Sequence, residues 1–456
     1  MEKENIFPHP VAVIGAGPAG IFAARQLAEA GLPVALINRD VKPGGLAEYG
    51  IFYNKYKMKL GLRRQFQRIM ETPNIHYYGN LTVRKNSPVN LDALKAMGFK
   101  AIIVTVGAQG TKWLGLPGED LKGVYHAKDL VYHYNQLPPY STQEFEIGER
   151  VILIGAGNVM LDIANYCIRD LKIKEVITVV RRGPADVKFD KKELQTVARN
   201  LDLDDLDAEV AKAAPVLEAV GQDPQGAKAF ILSGLLQAEE PVSDTRFRMR
   251  FLATPKAIVG NDEGKVTGLE VEHTTLKLRD NGRTSAEGLG TTEIIEGDTV
   301  IFCIGDRVST SFGLPLDRWK EFAKNPDPRF PVDDTSYEAY DEANQKPLEG
   351  IFLAGWAREA SSGLVGTARK DGQRGADAMM QYLATLPAKG DPKAPFETLE
   401  ALTADQYPPV VRSEDYRRLA EIEEAKAEEL GIEYFKFNTN EEMFEAMGLM
   451  ATENRS

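Results

Sequence analysis

Residues 155–184 read "GAGNVMLDIANYCIRDLKIKEVITVVRRGP". The stretch opens on a glycine turn, continues in a helical pattern, and closes on a β-branched strand and two arginines. The apolar run "RVILI" precedes it at 150–154. Strand, glycine turn, helix and second strand together predict a dinucleotide-binding unit. Its glycines let the backbone approach a pyrophosphate, which sits at the positive end of the helix. The chain already holds one such unit. "VAVIGAGPAG" spans 11–20, "IFAARQLAEAG" follows with Ala23, Ala24, Leu27 and Ala28 on one face, and "LPVALI" completes a second strand at Ile37.

The two copies differ at informative positions. In the first, Gly15 permits the tight turn, Gly17 the approach of a pyrophosphate, and Gly20 close packing of helix on strand. In the second, Gly155 and Gly157 repeat the first two roles, but Met160 stands third, which predicts a helix packed less closely. The residue past the second strand of such a unit meets the adenosine ribose. It is Asn38 in the first copy, which can still bond ribose hydroxyls. The second copy has Arg181 and Arg182, two guanidiniums that can fork onto a 2′-phosphate, so NADP is favoured over NAD there. The competing reading is a pair of solvated arginines at a strand end.

A chain of 456 residues exceeds one ordinary hydrophobic core and suits two or three domains. The net charge of -12 disfavours nonspecific nucleic-acid binding. No apolar run approaches the roughly 18 residues of a spanning helix, and the N-terminal "MEKENIFPHP" lacks a signal-peptide core, so no membrane insertion and a cytoplasmic location are expected. The two cysteines, Cys167 and Cys303, form no CxxC pair, which leaves no cysteine-ligated cluster within the chain; both are expected as core residues. The five histidines show no metal-ligand spacing, and no metal is expected.

Elsewhere, "KPGGLAEYGI" at 42–51 is glycine-dense and breaks the regular pattern. The following helix places Met58, Leu62, Phe66, Ile69 and Met70 towards one side. Its basic residues Lys55, Lys57, Lys59, Arg63, Arg64 and Arg68 read either as a solvated face or as a docking patch for an acidic partner. "AIIVTVG" is a buried strand ending at Gly107, and residues 124–138 read as helical around 127–134. Residues 200–245 read as surface helices and loops, and 250–300 as antiparallel strands. "GIFLAGWAREASSGLVGTARKDGQRGADAMMQYLATL" adds a late strand, a glycine turn and a long helix, a pattern that returns to the first domain. The tail beyond Lys389 includes an amphipathic helix, "SEDYRRLAEIEEAKAEEL", expected on the surface.

The fold class predicted is α/β: two Rossmann-like dinucleotide-binding domains with a small antiparallel excursion in the second. The first comprises 1–109 and 336–456, the second 110–335. Two facing dinucleotides point to hydride transfer between nicotinamide C4 and flavin N5, which needs alignment more than an acid–base pair.

The chain resembles the adrenodoxin reductase-like ferredoxin–NADP reductases and, more loosely, the small subunit of glutamate synthase. The resemblance covers roughly residues 8–385. It rests on "GAGPAG", "PGGLAEYGI", "LPGEDLKGVYHAKDLVYHYNQLP", "GAGNVMLD", "VVRRGP" and "AGWAREASSGLVGT". The Gly355–Trp356 pair points to the adrenodoxin reductase branch. The resemblance implies FAD on the first unit, contacted by Ala19, Asn38, Leu46, Leu81, Trp356 and the backbone of Gly363, Leu364 and Val365, with Gly45, Gly107 and Gly355 alongside. It implies NADPH on the second, contacted by Gly157, Asn158, Val159, Arg181, Arg182 and Glu193, with Gly363 near the nicotinamide. Trp356 and Gly363 would then position flavin and nicotinamide. Two departures stand out: the family's usual Glu is Asn38 here, and its "APDH"-like segment is replaced by "FYNKYK", which lacks that acid and histidine.

The implied activity is an FAD-dependent NADPH:ferredoxin reductase with an external iron–sulfur acceptor, docking near Lys57, Arg64 and Arg68 and extended by Lys188, Lys191 and Lys192. The alternatives are an electron-input subunit of a glutamate synthase-like complex, a reductase of quinones or small acceptors, and a nonenzymatic scaffold.

Overall fold

The computed structural model describes residues 8–361 and 363–450. Most of the N-terminal stretch read for a targeting signal lies outside them. The chain divides into two compact units, one formed by 1–110, 132–142 and 306–456, the other by 111–131 and 143–305.

The first unit is built on a six-stranded sheet in the spatial order 338–341, 346–353, 101–104, 11–14, 34–37, 75–78. Its strands run parallel except at the edge, where Glu338–Asp341 pairs antiparallel with Lys346–Leu353. The central strand Val11–Ile14 is wholly buried, as a strand covered by helices on both faces must be. One face carries helices Pro18–Glu29, Tyr56–Met70 and Val365–Ala384, which contribute to a core that includes Leu27, Phe66 and Met379. Chain order reverses at Val11–Ile14: one neighbour is the next strand, Val34–Ile37, and the other is the later Ala101–Val104. The crevice beyond the carboxyl ends at such a switch point is where ligands bind in open α/β sheets.

The second unit repeats the plan. Its parallel sheet runs 124–126, 299–302, 150–154, 175–179, 246–250, with the switch point at Arg150–Ile154. A three-stranded antiparallel sheet, Ala253–Gly260, Val266–Leu278 and Thr284–Glu296, supplies the expected excursion. Helices Leu203–Ala219 and Pro224–Leu232 occupy the acidic, alanine-rich stretch. Cys167 and Cys303 are buried free thiols; burial pushes Cys167 up to about 12, which makes it a small apolar core residue.

The structural units divide the chain differently from the expected boundaries. Residues 306–335 group with the first unit because Val308, Phe312, Leu314 and Phe322 join its core beside Ala12 and Ile14. Residues 132–142 group there too: Tyr132 and Leu137 pack with Tyr49, and Gln136 donates to Asn438 at 3.1 Å. Helix Ala127–Tyr134 lies inside the expected 124–138, whose first residues form the strand Val124–His126 instead, and the tail helix Ser413–Leu430 has the expected span. The tail helix is no surface attachment, however, since Tyr416, Leu419, Glu423 and Ala427 are buried. Among the described residues, no helix is long and apolar enough to cross a membrane.

Candidate functional site

Both glycine turns end a buried strand and start a helix whose first turn has no side-chain cap. The N–H groups there are left for an anion. A Cβ built on Gly17 or on Gly157 meets nothing within 4 Å, so each turn faces open space where a phosphate would approach. These features fit a dinucleotide at each turn. The turns are also anchored alike: the Ala16 carbonyl accepts from Gly44 N–H at 2.7 Å, and the Ala156 carbonyl accepts from Lys188 N–H at 2.7 Å.

The third positions differ as the sequence does. A Cβ on Gly20 would lie 1.9 Å from the Gly15 carbonyl oxygen, so only glycine allows the first helix to sit this close. Met160, at the third position of the second turn, has no solvent exposure.

Asn38 is buried, and its amide is committed to the protein. Its Oδ1 accepts from Ala16 N–H at 3.1 Å. Its Nδ2 reaches the carbonyls of Asp40 and Lys42 at 2.9 and 3.0 Å, and the Tyr77 hydroxyl at 3.3 Å. The side chain therefore braces the glycine turn against the loop that follows. Beside it, the exposed Arg39 bonds Asp40 at 3.0 Å and Gln109, past the strand Ala101–Val104, at 3.0 Å. Leu81 and Ala19 are buried, whereas Gly45 and Leu46 are half-buried and Gly107 lies in the left-handed region.

At the second strand end the two arginines separate. Arg181 is exposed, while Arg182 is half-buried and donates to Asp186 at 2.9 Å. Asp186 also accepts from Gln222 and Thr284 at 3.0 Å. Asn158 ties the turn to Asp190 in both directions, at 2.8 and 2.7 Å. Val159 is exposed, and Glu193 is half-buried on the short helix Lys191–Leu194.

Gly355 and Trp356 lie in a short turn, Gly355–Ala357, held by a residue that sequence reasoning missed. Asp371, inside helix Val365–Ala384, accepts from Gly355 N–H at 2.6 Å, the Tyr337 hydroxyl at 3.0 Å and Arg358 Nε at 3.0 Å. Gly363 and Leu364 are exposed just before that helix.

The basic helix Tyr56–Met70 needs correction. Lys57, Arg64 and Arg68 are exposed, but Lys59 is buried and Arg63 points inward, so two of six cations leave the surface. Met58, expected on the apolar side, is exposed. Lys188, Lys191 and Lys192 are exposed residues of the second unit. Arg63 makes a two-pronged pair with buried Glu48, and Lys436 from the tail reaches the same carboxylate at 3.0 Å. Burial opposes the charge on Glu48, but Lys436, Arg63 and Lys42 outweigh it and hold the carboxyl well below its ordinary value. Lys59 donates to Asn135 Oδ1 at 2.6 Å and to the Ile51 carbonyl at 3.2 Å. Burial, with Lys436 nearby, pushes its ammonium down to about 6.

Residues 9–219 match the family model described as pyridine nucleotide-disulphide oxidoreductase. The NADPH-ferredoxin reductase FprA of Mycobacterium leprae is 28% identical over 461 residues, covering 93% of this chain and 95% of that protein. The structure titled Mycobacterium tuberculosis FprA in complex with NADPH superposes with a TM-score of 0.79 at 26% identity, covering 96% of this chain and 99% of the other. The chain is thus similar, over nearly its whole length, to NADPH-ferredoxin reductases of the FprA type. A further relative is the mitochondrial NADPH:adrenodoxin oxidoreductase of Arabidopsis thaliana, 26% identical over 79% of each chain. The likeness to FprA thus runs through both units and the tail, further than the six motifs that first carried it.

Proposed function

We propose that the chain is an FAD-dependent NADPH:ferredoxin oxidoreductase, with FAD on the first unit and NADPH on the second. The observation that carries this reading is the pair of open, uncapped glycine turns in separate units, with the pair Arg181 and Arg182 past one strand end and, past the other, Asn38 and an Arg39 that bonds Asp40 and Gln109. An FAD seat needs permanence, and the first turn is braced by Asn38, Gly44 and the closely packed helix of Gly20. An NADPH dock needs recognition of a 2′-phosphate, which Arg181 and Arg182 supply.

The bound flavin would supply the means of passing from a two-electron hydride donor to one-electron iron–sulfur acceptors. The protein's part is positioning. Gly15 and Gly17 admit the FAD pyrophosphate, Gly45, Leu46, Leu81 and Gly107 border the cofactor, and Asp371 fixes the turn that presents Trp356. Gly157, Asn158 and Val159 line the second phosphate site.

The acceptor is a ferredoxin-type protein, docking on Lys57, Arg64 and Arg68. The -12 net charge makes a local basic face the feature that an acidic carrier would select. Reversing all three to glutamate is expected to lower kcat/KM for ferredoxin by about tenfold or more at low salt, because long-range steering is lost. NADPH-to-ferricyanide activity should stay within about twofold of the parent. Unchanged ferredoxin kinetics would remove this helix from the docking surface, and absence of ferredoxin turnover in the parent protein would contradict the activity.

A further inference from the structure

The loop 42–51 is held from two directions. On one side it meets the first glycine turn: Gly44 N–H donates to the Ala16 carbonyl at 2.7 Å, and Gly45, with φ +50, sits so close that a Cβ would be 3.0 Å from Gly17 Cα. The Lys42 carbonyl accepts from Asn38, whose Oδ1 accepts from Ala16 N–H in the same turn. On the other side, the loop's charged side chains enter a buried cluster completed by the C-terminal segment. Lys42 pairs with Glu423 of the tail helix and lies 3.9 Å from Glu48. Lys436 bonds the Glu48 carboxylate at 3.0 Å, the Glu48 carbonyl at 3.2 Å and the Asn135 carbonyl at 2.8 Å. Arg63 completes the shell around Glu48. These five ionic side chains are largely withdrawn from solvent, Lys436 to 2% and Glu48 to 4% side-chain exposure.

We propose that Lys436 and Glu423 of the C-terminal segment are positioning residues for the flavin. They act through Glu48 and Lys42 to press Gly44–Leu46 against the glycine turn. The proposal rests on the assignment of FAD to the first unit. Its physical basis is that a buried ion pair broken on one side leaves an uncompensated charge, which must be relieved by movement or by water entry. The segment that would take up that movement is the short helix Leu46–Tyr49, which carries Glu48, and the loop leading to it. The tail thus acts on the phosphate turn through Glu48 and Lys42.

The test uses the full chain and measures FAD dissociation by the fluorescence of released flavin, beside far-UV circular dichroism and NADPH affinity. Lys436→Met is expected to weaken FAD binding about tenfold or more and to shift the visible spectrum of bound flavin. NADPH affinity should stay within about twofold, because the second unit does not share the cluster. Lys436→Arg, which keeps charge and donors, should restore FAD binding to within about threefold of the parent. Glu423→Gln, which keeps a hydrogen bond to Lys42 but removes its charge partner, is expected to weaken FAD by about threefold or more, and it carries the test alone if Lys436→Met does not fold. Parent-like FAD affinity and spectrum in folded Lys436→Met or in Glu423→Gln would overturn the proposal, as would equal losses of FAD and NADPH. A parent protein that retains no FAD overturns the underlying cofactor assignment and this proposal with it.

Discussion

Replacing Arg181 and Arg182 together by alanine is expected to raise the KM for NADPH by about 100-fold or more and to leave that for NADH within about threefold. Hydrogen bonds to charged groups contribute about 1.5–3 kcal/mol each, so two lost guanidinium contacts amount to two orders of magnitude or more. NADH has no 2′-phosphate and loses nothing comparable. The two arginines should not share the effect equally. Arg182 already donates to Asp186, which draws its guanidinium towards the protein, whereas Arg181 is exposed. Arg181→Ala alone should therefore produce the larger single loss. Steady-state kinetics with both nucleotides decides the matter, and equal losses for NADPH and NADH would remove the 2′-phosphate assignment.

Gly20→Ala is expected to be the most damaging small substitution in the first unit. Its Cβ would lie 1.9 Å from the Gly15 carbonyl oxygen and 2.6 Å from Thr105 Oγ1. The first of these sets the Cβ against a backbone oxygen, so no rotamer change relieves it, and the helix must lift from the turn. Destabilisation of about 4 kcal/mol or more is expected, the range reserved for severe strain or overpacking. For a unit of this size that corresponds to a fall in Tm of about 10 °C. Gly17→Ala separates the two roles of the motif. A Cβ there meets nothing within 4 Å, so Tm should barely change, but the methyl enters the space where a pyrophosphate approaches, and FAD retention should fall about tenfold or more. Thermal melting beside flavin content checks both variants, and a parent-like melt for Gly20→Ala would contradict the close-approach argument.

The glycine pair shows why so much of the fold was legible in sequence. Strand, turn, helix and strand are local, and each step leaves a residue-level mark: Gly15, Gly17 and Gly20 in one copy, Gly155, Gly157 and the two arginines in the other. The charged side chains were harder. Lys59 and Arg63 sit in a basic run and read as surface, but their partners, Asn135 and Glu48, are 76 and 15 residues away in the chain. Glu423 lies in an acid-rich amphipathic helix, and nothing local distinguishes it from its solvated neighbours. Lys436 gives a faint signal, a lysine alternating with aromatics in "EYFKFN". Asn38 was legible as a departure, but its three donor contacts depend on a loop whose path no periodicity records. The unit boundaries shifted for the same reason, since the apolar side chains of 306–335 say that they are buried without saying against which sheet.

The most direct measurement is anaerobic. The purified protein is mixed with one equivalent of NADPH or of NADH, the flavin absorbance is followed, and oxidised ferredoxin is then added. FAD in a one-to-one ratio with the chain, rapid bleaching by NADPH, much slower bleaching by NADH, and return of the flavin colour as ferredoxin is reduced are the predicted results. A colourless protein, or a flavin that NADPH reduces no faster than NADH and that ferredoxin fails to reoxidise, would contradict the account.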